Sequence, residues 1–560
     1  MDPLSVAGLS LAILDQLIKL SERTAELISD IKAFDEDTTY LYDRVVNESN
    51  KTITLRRLLF ENALIYGGET LFQQFEPDVQ EQIRIKLRQL KTILGEVTEL
   101  LEQRYRSKSS AGKSNRASSS TSSIDKETAL LNHSPPNLSS YSLSPIDVSR
   151  KNTASPLRQI RWSIWDKKRV GAIVRNFKDL NNELHDQIKF YCNASTLGVD
   201  LGHLQRLQND ASSRALGFDI DANLRLTAYD NQCGNPSESF ELQGESWTAL
   251  LQSTIPVSTK FSIAHADGRT LLLEKFAYDH LPSTSSENLL MQDISPRTRR
   301  RVDALAKLLR QPKEQVFRIP RCIGWKYLAQ QKSIAFVFEI QPERLNGKPM
   351  DLLQLLGDRE ARVSLGDKFM LALALAKCIS QLHMVKWVHE SFRSENVLFF
   401  PNPSIEKGKP AIEYTEPWVL GFEFSRPDIF VSTGVSDYCP SRDLYRHPER
   451  QGEPDKAFTK KHDIYALGVV LLEIGLWEPA LTFERNNFAY VRDPYAVQKQ
   501  LMKYAERRLE SRVGKKYRDV VLSCLSGDFD VANDTKEDLK LQQAFRKQVV
   551  NVLELAAENV

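Results

Sequence analysis

The densest set of groups able to do chemistry in this chain is His389-Glu390-Ser391-Phe392-Arg393-Ser394-Glu395-Asn396. Ser391 at its centre is neutral. A hydroxyl cannot take and hold a proton as a carboxylate does, and general-base assistance is typically worth about 10²–10⁴-fold in rate. Asn396 has two uses, as a ligand for a divalent cation or as an amide bonded to its own loop. The cysteines (Cys192, Cys233, Cys322, Cys378, Cys439 and Cys524) are scattered, with no C-x-x-C pair. Their spacing argues against a zinc site or a disulfide framework and fits a reducing compartment. Each is expected to be a small buried hydrophobe.

The elements that position these groups stand in a fixed order. Leu272-Leu273-Glu274-Lys275 follows a turn at Asp267-Gly268. Val302, Leu305 and Leu309 lie on one face of a helix from Arg301 to Leu309. Ile334 to Ile340 is an apolar strand leading into Gln341-Pro342-Glu343, and Leu371 to His383 is a buried helix running into the His389 loop. Val419-Leu420-Gly421-Phe422-Glu423, His447-Pro448-Glu449 and Asp463-Ile464-Tyr465-Ala466-Leu467-Gly468 follow.

In that order these segments resemble the landmarks of a protein-kinase domain over about 300 residues. The resemblance implies that Lys275 contacts ATP, that Asn396 holds magnesium, and that His389, Phe422, Glu449, Asp463 and Gly468 are structural landmarks. Lys275 also reads as a strand-edge lysine in water. Glu449 is expected to find a basic partner near the chain's end, and Asp463 to receive backbone donors from the His389 loop.

The departures are consistent. Ser391 stands where the catalytic aspartate belongs, Gly421 where the metal-binding aspartate belongs, and Glu390 and Glu423 replace an arginine and a glycine. No glycine-rich phosphate loop precedes Leu271, and the αC-like helix offers only Asp303 to pair with Lys275. The domain is expected to be a pseudokinase.

The N-terminal part reads as helices. Asp2 and Pro3 suit a helix start, and Val6, Leu9, Ile13, Leu17 and Leu20 form one stripe. Leu41 and Val45, then Leu55, Leu58 and Leu59, mark a second and a third segment. Val79, Ile83, Leu87, Leu90, Leu94, Val97 and Leu101 form a long stripe. Ile160, Ile164, Ile173, Phe177, Leu180, Leu184 and Ile188 mark a last helix, with Arg158, Arg161, Lys167, Lys168 and Arg169 near its start. Stripes of this kind bury against one another in a bundle. Between the last two helices, Ser107 to Ser123 and the prolines after it are too poor in apolar groups to order themselves. Ser144 and Ser155, each before a proline, are candidate phosphorylation sites.

Met1 to Leu9, together with Arg161-Trp162-Ser163-Ile164-Trp165-Asp166-Lys167-Lys168, resembles the fungal HeLo domain over roughly residues 1 to 200. That family is known from prion-controlled incompatibility. The resemblance implies a membrane-targeting, cell-death-executing bundle, similar to that of mixed-lineage kinase-domain-like proteins.

The expected fold is an all-α helical bundle followed by a bilobal α+β kinase-like domain. The bundle spans 1–205 with a disordered insert at about 106–156. A connection at 206–240 follows, then the kinase-like domain at 241–560, its N-lobe at 241–343 and its C-lobe at 344–560. At 560 residues, 26% charged and with a formal net charge of +2, the chain has no global field for nucleic acid. It has no secretory signal and no run of 18 apolar residues. The expectation is a cytoplasmic protein, recruited to membranes through its bundle. It is a signalling pseudokinase with a regulatory protein partner, and it self-associates. An atypical active Ser/Thr kinase and a non-catalytic scaffold are the alternatives.

Overall fold

The computed structural model describes residues 5–30, 36–105, 166–230, 239–266, 269–277, 294–340, 348–358, 363–406, 409–427, 439–452, 456–484, 488 and 493–560. Asp2 and Pro3, the serine-rich linker, Arg161 to Trp165, Cys233, Asp267-Gly268 and Gln341 to Glu343 lie outside them. The chain divides into two compact units, Met1–Cys192 with Asn209–Phe218, and Asn193–Gln208 with Asp219–Val560.

The first unit is helical: α1 (Val6–Ser29), α2 (Glu36–Phe60), α3 (Leu71–Gln74), α4 (Pro77–Tyr105) and α5 (Lys167–Ala194). The stripe on α4 is buried along its whole length, as its spacing predicts. One core joins four helices, with Ala25 and Ile28 of α1, Leu41 and Val45 of α2, Val97 and Leu101 of α4, and Val170 and Val174 of α5.

Three expectations change here. The first helix is capped by Ser5, whose hydroxyl accepts from the Gly8 N–H at 3.1 Å. Its most deeply buried side is Ser10, Leu14, Leu17, Ile18, Ser21 and Thr24 rather than the aliphatic stripe, and Val6, Leu9, Ile13 and Leu20 are half-buried. Small hydroxyl side chains let α1 approach α4, where the Thr24 and Thr98 hydroxyls are 2.8 Å apart. The second and third segments are one helix, α2, because its polar middle is buried and satisfied. Thr52 donates to the Glu48 carbonyl at 2.8 Å, and Asn181 Nδ2 donates to the Glu48 carboxylate at 2.7 Å.

The second unit contains a five-stranded antiparallel sheet of β1 (Ile255–Pro256), β2 (Phe261–Ala266), β3 (Arg269–Ala277), β4 (Arg321–Leu328) and β5 (Ser333–Ile340), in the order β1-β2-β3-β5-β4. Alternation along β3 sends Leu271 and Leu273 to one face, where they pack with Ala264, Ala335, Val337 and Leu251. Leu251 belongs to α6 (Glu245–Gln252). Between β3 and β4 runs α7 (Pro296–Arg310), capped by Ser295 and burying Val302, Leu305 and Leu309. The rest is mostly helical, with α8 (Leu365–Met384) and α9 (Lys460–Leu476), the latter buried on nearly every side. Three two- and three-residue strands form a small sheet, Met350–Asp351 from before α8 in sequence and Val397–Phe399 and Trp418–Val419 from between α8 and α9.

Candidate functional site

Asp463, on the first turn of α9, organises the loop that begins at His389. Its carboxylate accepts from the backbone N–H of His389 at 2.8 Å and of Glu390 at 3.0 Å, as expected from the sequence. The His383 ring lies 3.2 Å from the same carboxylate. Burial pushes the Asp463 carboxyl up, but the His383 bond and the backbone donors more than offset it and hold it below the usual range. Glu390 adopts a left-handed backbone, φ 62°, to make this turn.

The loop then closes on the segment after Trp418-Val419. His389 Nε2 is 3.1 Å from the Leu420 carbonyl, and its ring packs on Phe422 with centroids 4.6 Å apart. Burial drops the His389 pKa to about 4, so the ring is neutral near pH 7. Asn396 Nδ2 donates to the Ser391 carbonyl at 2.7 Å, so its amide is spent partly on its own loop. Gly421 has φ +91°, and a Cβ there would lie 2.9 Å from the Asn396 Cβ and overlap the amide beyond it. The Asn396 side chain therefore fills the space that an aspartate at 421 would need.

Two carboxylates stand beside this point. Glu274 lies directly across from Phe336 in the sheet, on the face opposite Leu273, and is fully buried. Glu423 is 6% exposed at its side chain and takes Lys260 Nζ at 2.6 Å. Arg393 Nη2 is 3.5 Å from Glu423 Oε1, and the Ser391 hydroxyl donates to the same oxygen at 3.4 Å. Burial pushes Glu423 up, but the Lys260 and Arg393 charges more than offset it, and its pKa falls below the ordinary carboxylate range.

Lys275 and Asn396, the two expected nucleotide contacts, are not brought together. Lys275 pairs across from Ala335 on the face covered by α6, and its ammonium reaches Thr254 Oγ1 at 3.3 Å. Asp303 is not its partner: it accepts from the Phe240 N–H at 2.9 Å and from Trp325 Nε1 at 2.7 Å, pinning the chain beside β4. The residue that faces Glu423 is Glu274, which the sequence reading missed. A one-residue step along a strand reverses the face, and Phe336, Phe338 and Leu272 on that side were the available signal.

The remaining landmarks are structural. Gly468 lets α9 approach the helix Lys515–Ser526, since a Cβ there would lie 2.8 Å from that of Cys524. Glu449 does not reach toward the chain's end. It pairs with Lys456, a nearby residue, and with His462 Nε2 at 3.5 Å. His447, Glu449 and His462 place ligand atoms within 4.8 Å of one another. Both Nδ1 atoms already accept backbone N–H groups, from Glu449 at 3.2 Å and from Thr459 at 3.0 Å. These are helix-start caps, and the neutral His462 tautomer they require carries its proton on Nε2, facing Glu449. Cys192, Cys322, Cys378 and Cys524 are free and buried, and Cys439 is half-buried.

Residues 326–560 match a family described only as "Domain of unknown function (DUF7580)". Residues 56–196 match the HeLo family, described as "Prion-inhibition and propagation". No curated protein matches the chain. The N-terminal helical region, which fits a HeLo bundle, thus carries a HeLo domain at residues 56–196.

Proposed function

We propose that the second unit is a kinase-like module without phosphotransfer activity, and that it governs the HeLo unit as the effector of a cell-death or incompatibility response. The HeLo match suggests a fungal role of that kind. The kinase-like reading draws on the order β1-β2-β3-β5-β4 with α7 between β3 and β4, and on the Asp463 carboxylate that binds the loop backbone. The observation that carries it is the pairing of that intact loop support with Ser391 and Gly421 at the positions where chemistry needs carboxylates. Glu423 does not replace them as a base. Its charge is neutralised by Lys260 and Arg393, and its depressed pKa makes it a poor proton acceptor near pH 7.

The membrane part of this reading rests on α1. Among the described residues no helix is long and apolar enough to cross a bilayer. Val6, Leu9, Ile13 and Leu20 nevertheless give α1 a half-buried apolar side, and Lys168 and Arg169 are exposed at the start of α5. An interfacial attachment uses apolar area and cationic groups in this combination. The module is read as acting in the cytoplasm, under a regulatory protein partner and with self-association of the chain.

Cosedimentation of the full chain with vesicles of phosphatidylserine and phosphatidylcholine tests the effector role. Binding that falls at least about tenfold in Ile13→Asp is expected, which is the loss of about 1.4 kcal/mol of attachment. Binding equal to that of pure phosphatidylcholine, or unchanged by the substitution, contradicts it.

A further inference from the structure

We propose that Glu274 and Glu423 share one proton and, with Lys260, form a bolt across the cleft between the sheet and the Gly421 segment, which bars polyphosphate ligands from it. The inference rests on the kinase-like reading for the identity of the cleft, and on the following geometry for its content.

Neither oxygen of Glu274 accepts a well-formed hydrogen bond from an N–H or O–H among the described residues, and Glu423 Oε2 accepts none; the Gly421 backbone N–H beside Glu274 eases its burial only in small part. A fully buried carboxylate with no donor is costly, and such groups neutralise instead. The bond left to Glu274 is one in which it is the donor, as a carboxylic acid, to the Glu423 carboxylate. The charges around the pair set which partner keeps the proton. Lys260 from the segment before β2 and Arg393 from the His389 loop stabilise Glu423 as the anion. Among the described residues Glu274 has no ion pair, and the Lys260 charge lowers its pKa less than burial and Glu423 raise it. Burial, and then the neighbouring Glu423 charge, push its pKa up to about 8. Two further titratable groups that feel the pair's charges are neutral near pH 7: His389 is held low and the Cys322 thiol on β4 is pushed up to about 12.

The bolt has two consequences. Its three members come from separate parts of the unit, 260, 274 and 423, so it ties the sheet to the loop that follows Trp418-Val419. It also sets an acid and an anion in the cleft and engages the two nearby cations, Lys260 and Arg393, with Glu423 rather than leaving them for a phosphate chain. A polyphosphate bound there would meet like charge and would have to displace Lys260 from Glu423.

The shared proton fixes a pH signature. A carboxyl whose folded pKa is raised contributes stability that is complete below its unfolded value. That contribution is lost as pH rises through the folded value. Thermal melting of the full chain is followed from about pH 6 to about pH 9 for the wild type and for Glu274→Gln, with and without magnesium-ATP. Glutamine keeps the size and donates to Glu423 at every pH. The expected result is a wild-type Tm that falls up to about pH 8 and then levels, while Glu274→Gln lacks this fall. Magnesium-ATP shifts neither. Parallel pH profiles for the two proteins overturn the shared proton, and a saturable rise in wild-type Tm with magnesium-ATP overturns the exclusion of polyphosphate. Such binding without phosphate transfer leaves the non-catalytic reading standing, whereas transfer overturns that reading itself. Lys260→Met provides the check if Glu274→Gln does not fold. Losing the cation disfavours the doubly ionised pair, so the fall moves to higher pH, and an unmoved fall rejects the bolt.

Discussion

Replacing Asp463 by alanine lowers the unfolding free energy of the second unit by about 3–5 kcal/mol, the range for removing one partner of a buried charged network. Three groups lose their acceptor at once: the His389 and Glu390 amides and the His383 ring. All are buried or partly buried, and each unpaired donor carries its own desolvation cost of about 1–3 kcal/mol. Glu390 is held at φ 62° by this contact, so its turn relaxes as well. Urea unfolding measures the total, and hydrogen exchange at the His389 and Glu390 amides localises it. Amides that remain as protected as in the wild type contradict the assignment of Asp463 as the support of the loop.

The second large effect comes from placing at Gly421 the aspartate that the proposed kinase-like reading calls for there. Gly421→Asp is expected to destabilise the unit by about 3 kcal/mol or more and to restore no phosphotransfer. The left-handed backbone at φ +91° costs a non-glycine residue about 1–2 kcal/mol. The Asn396 amide occupies the space of the new side chain, so Asn396 must leave its bond to the Ser391 carbonyl. A third carboxylate would then stand beside Glu274 and Glu423, adding like-charge repulsion in a buried place. Gly421→Ala separates these contributions, because it retains the backbone strain and the overlap at Cβ without the charge. A Gly421→Asp protein as stable as the wild type contradicts this account of the cleft.

These expectations mark where sequence reading was sufficient and where it was not. The α4 stripe is visible because its buried positions are aliphatic apart from Thr98. The continuity of α2 is hidden because its buried middle, Glu48, Ser49 and Thr52, is polar and is satisfied by bonds that no periodicity reveals. The buried side of α1 is hidden for the same reason, since serines and a threonine make the close approach to α4. In the candidate site, the bond from Asp463 to its loop is legible. The face of β3 is not. Glu274 and Lys275 are adjacent, and only the register with Phe336 and Ala335 decides which one meets Glu423. Lys260 lies 163 residues from Glu423 in the chain, and no local pattern links them. The partners of Glu449 were also misplaced, because Lys456 and His462 reach it first.

A direct phosphotransfer assay tests the central claim most sharply. The full chain is incubated with radiolabelled ATP and either magnesium or manganese, together with a generic protein substrate, and Glu423→Gln and Lys275→Ala are run beside it. The account predicts no incorporation above the level of a heat-denatured control for any of them. Incorporation by the wild type that disappears in Glu423→Gln would mean that this carboxylate does chemistry rather than hold Lys260, and would contradict the account.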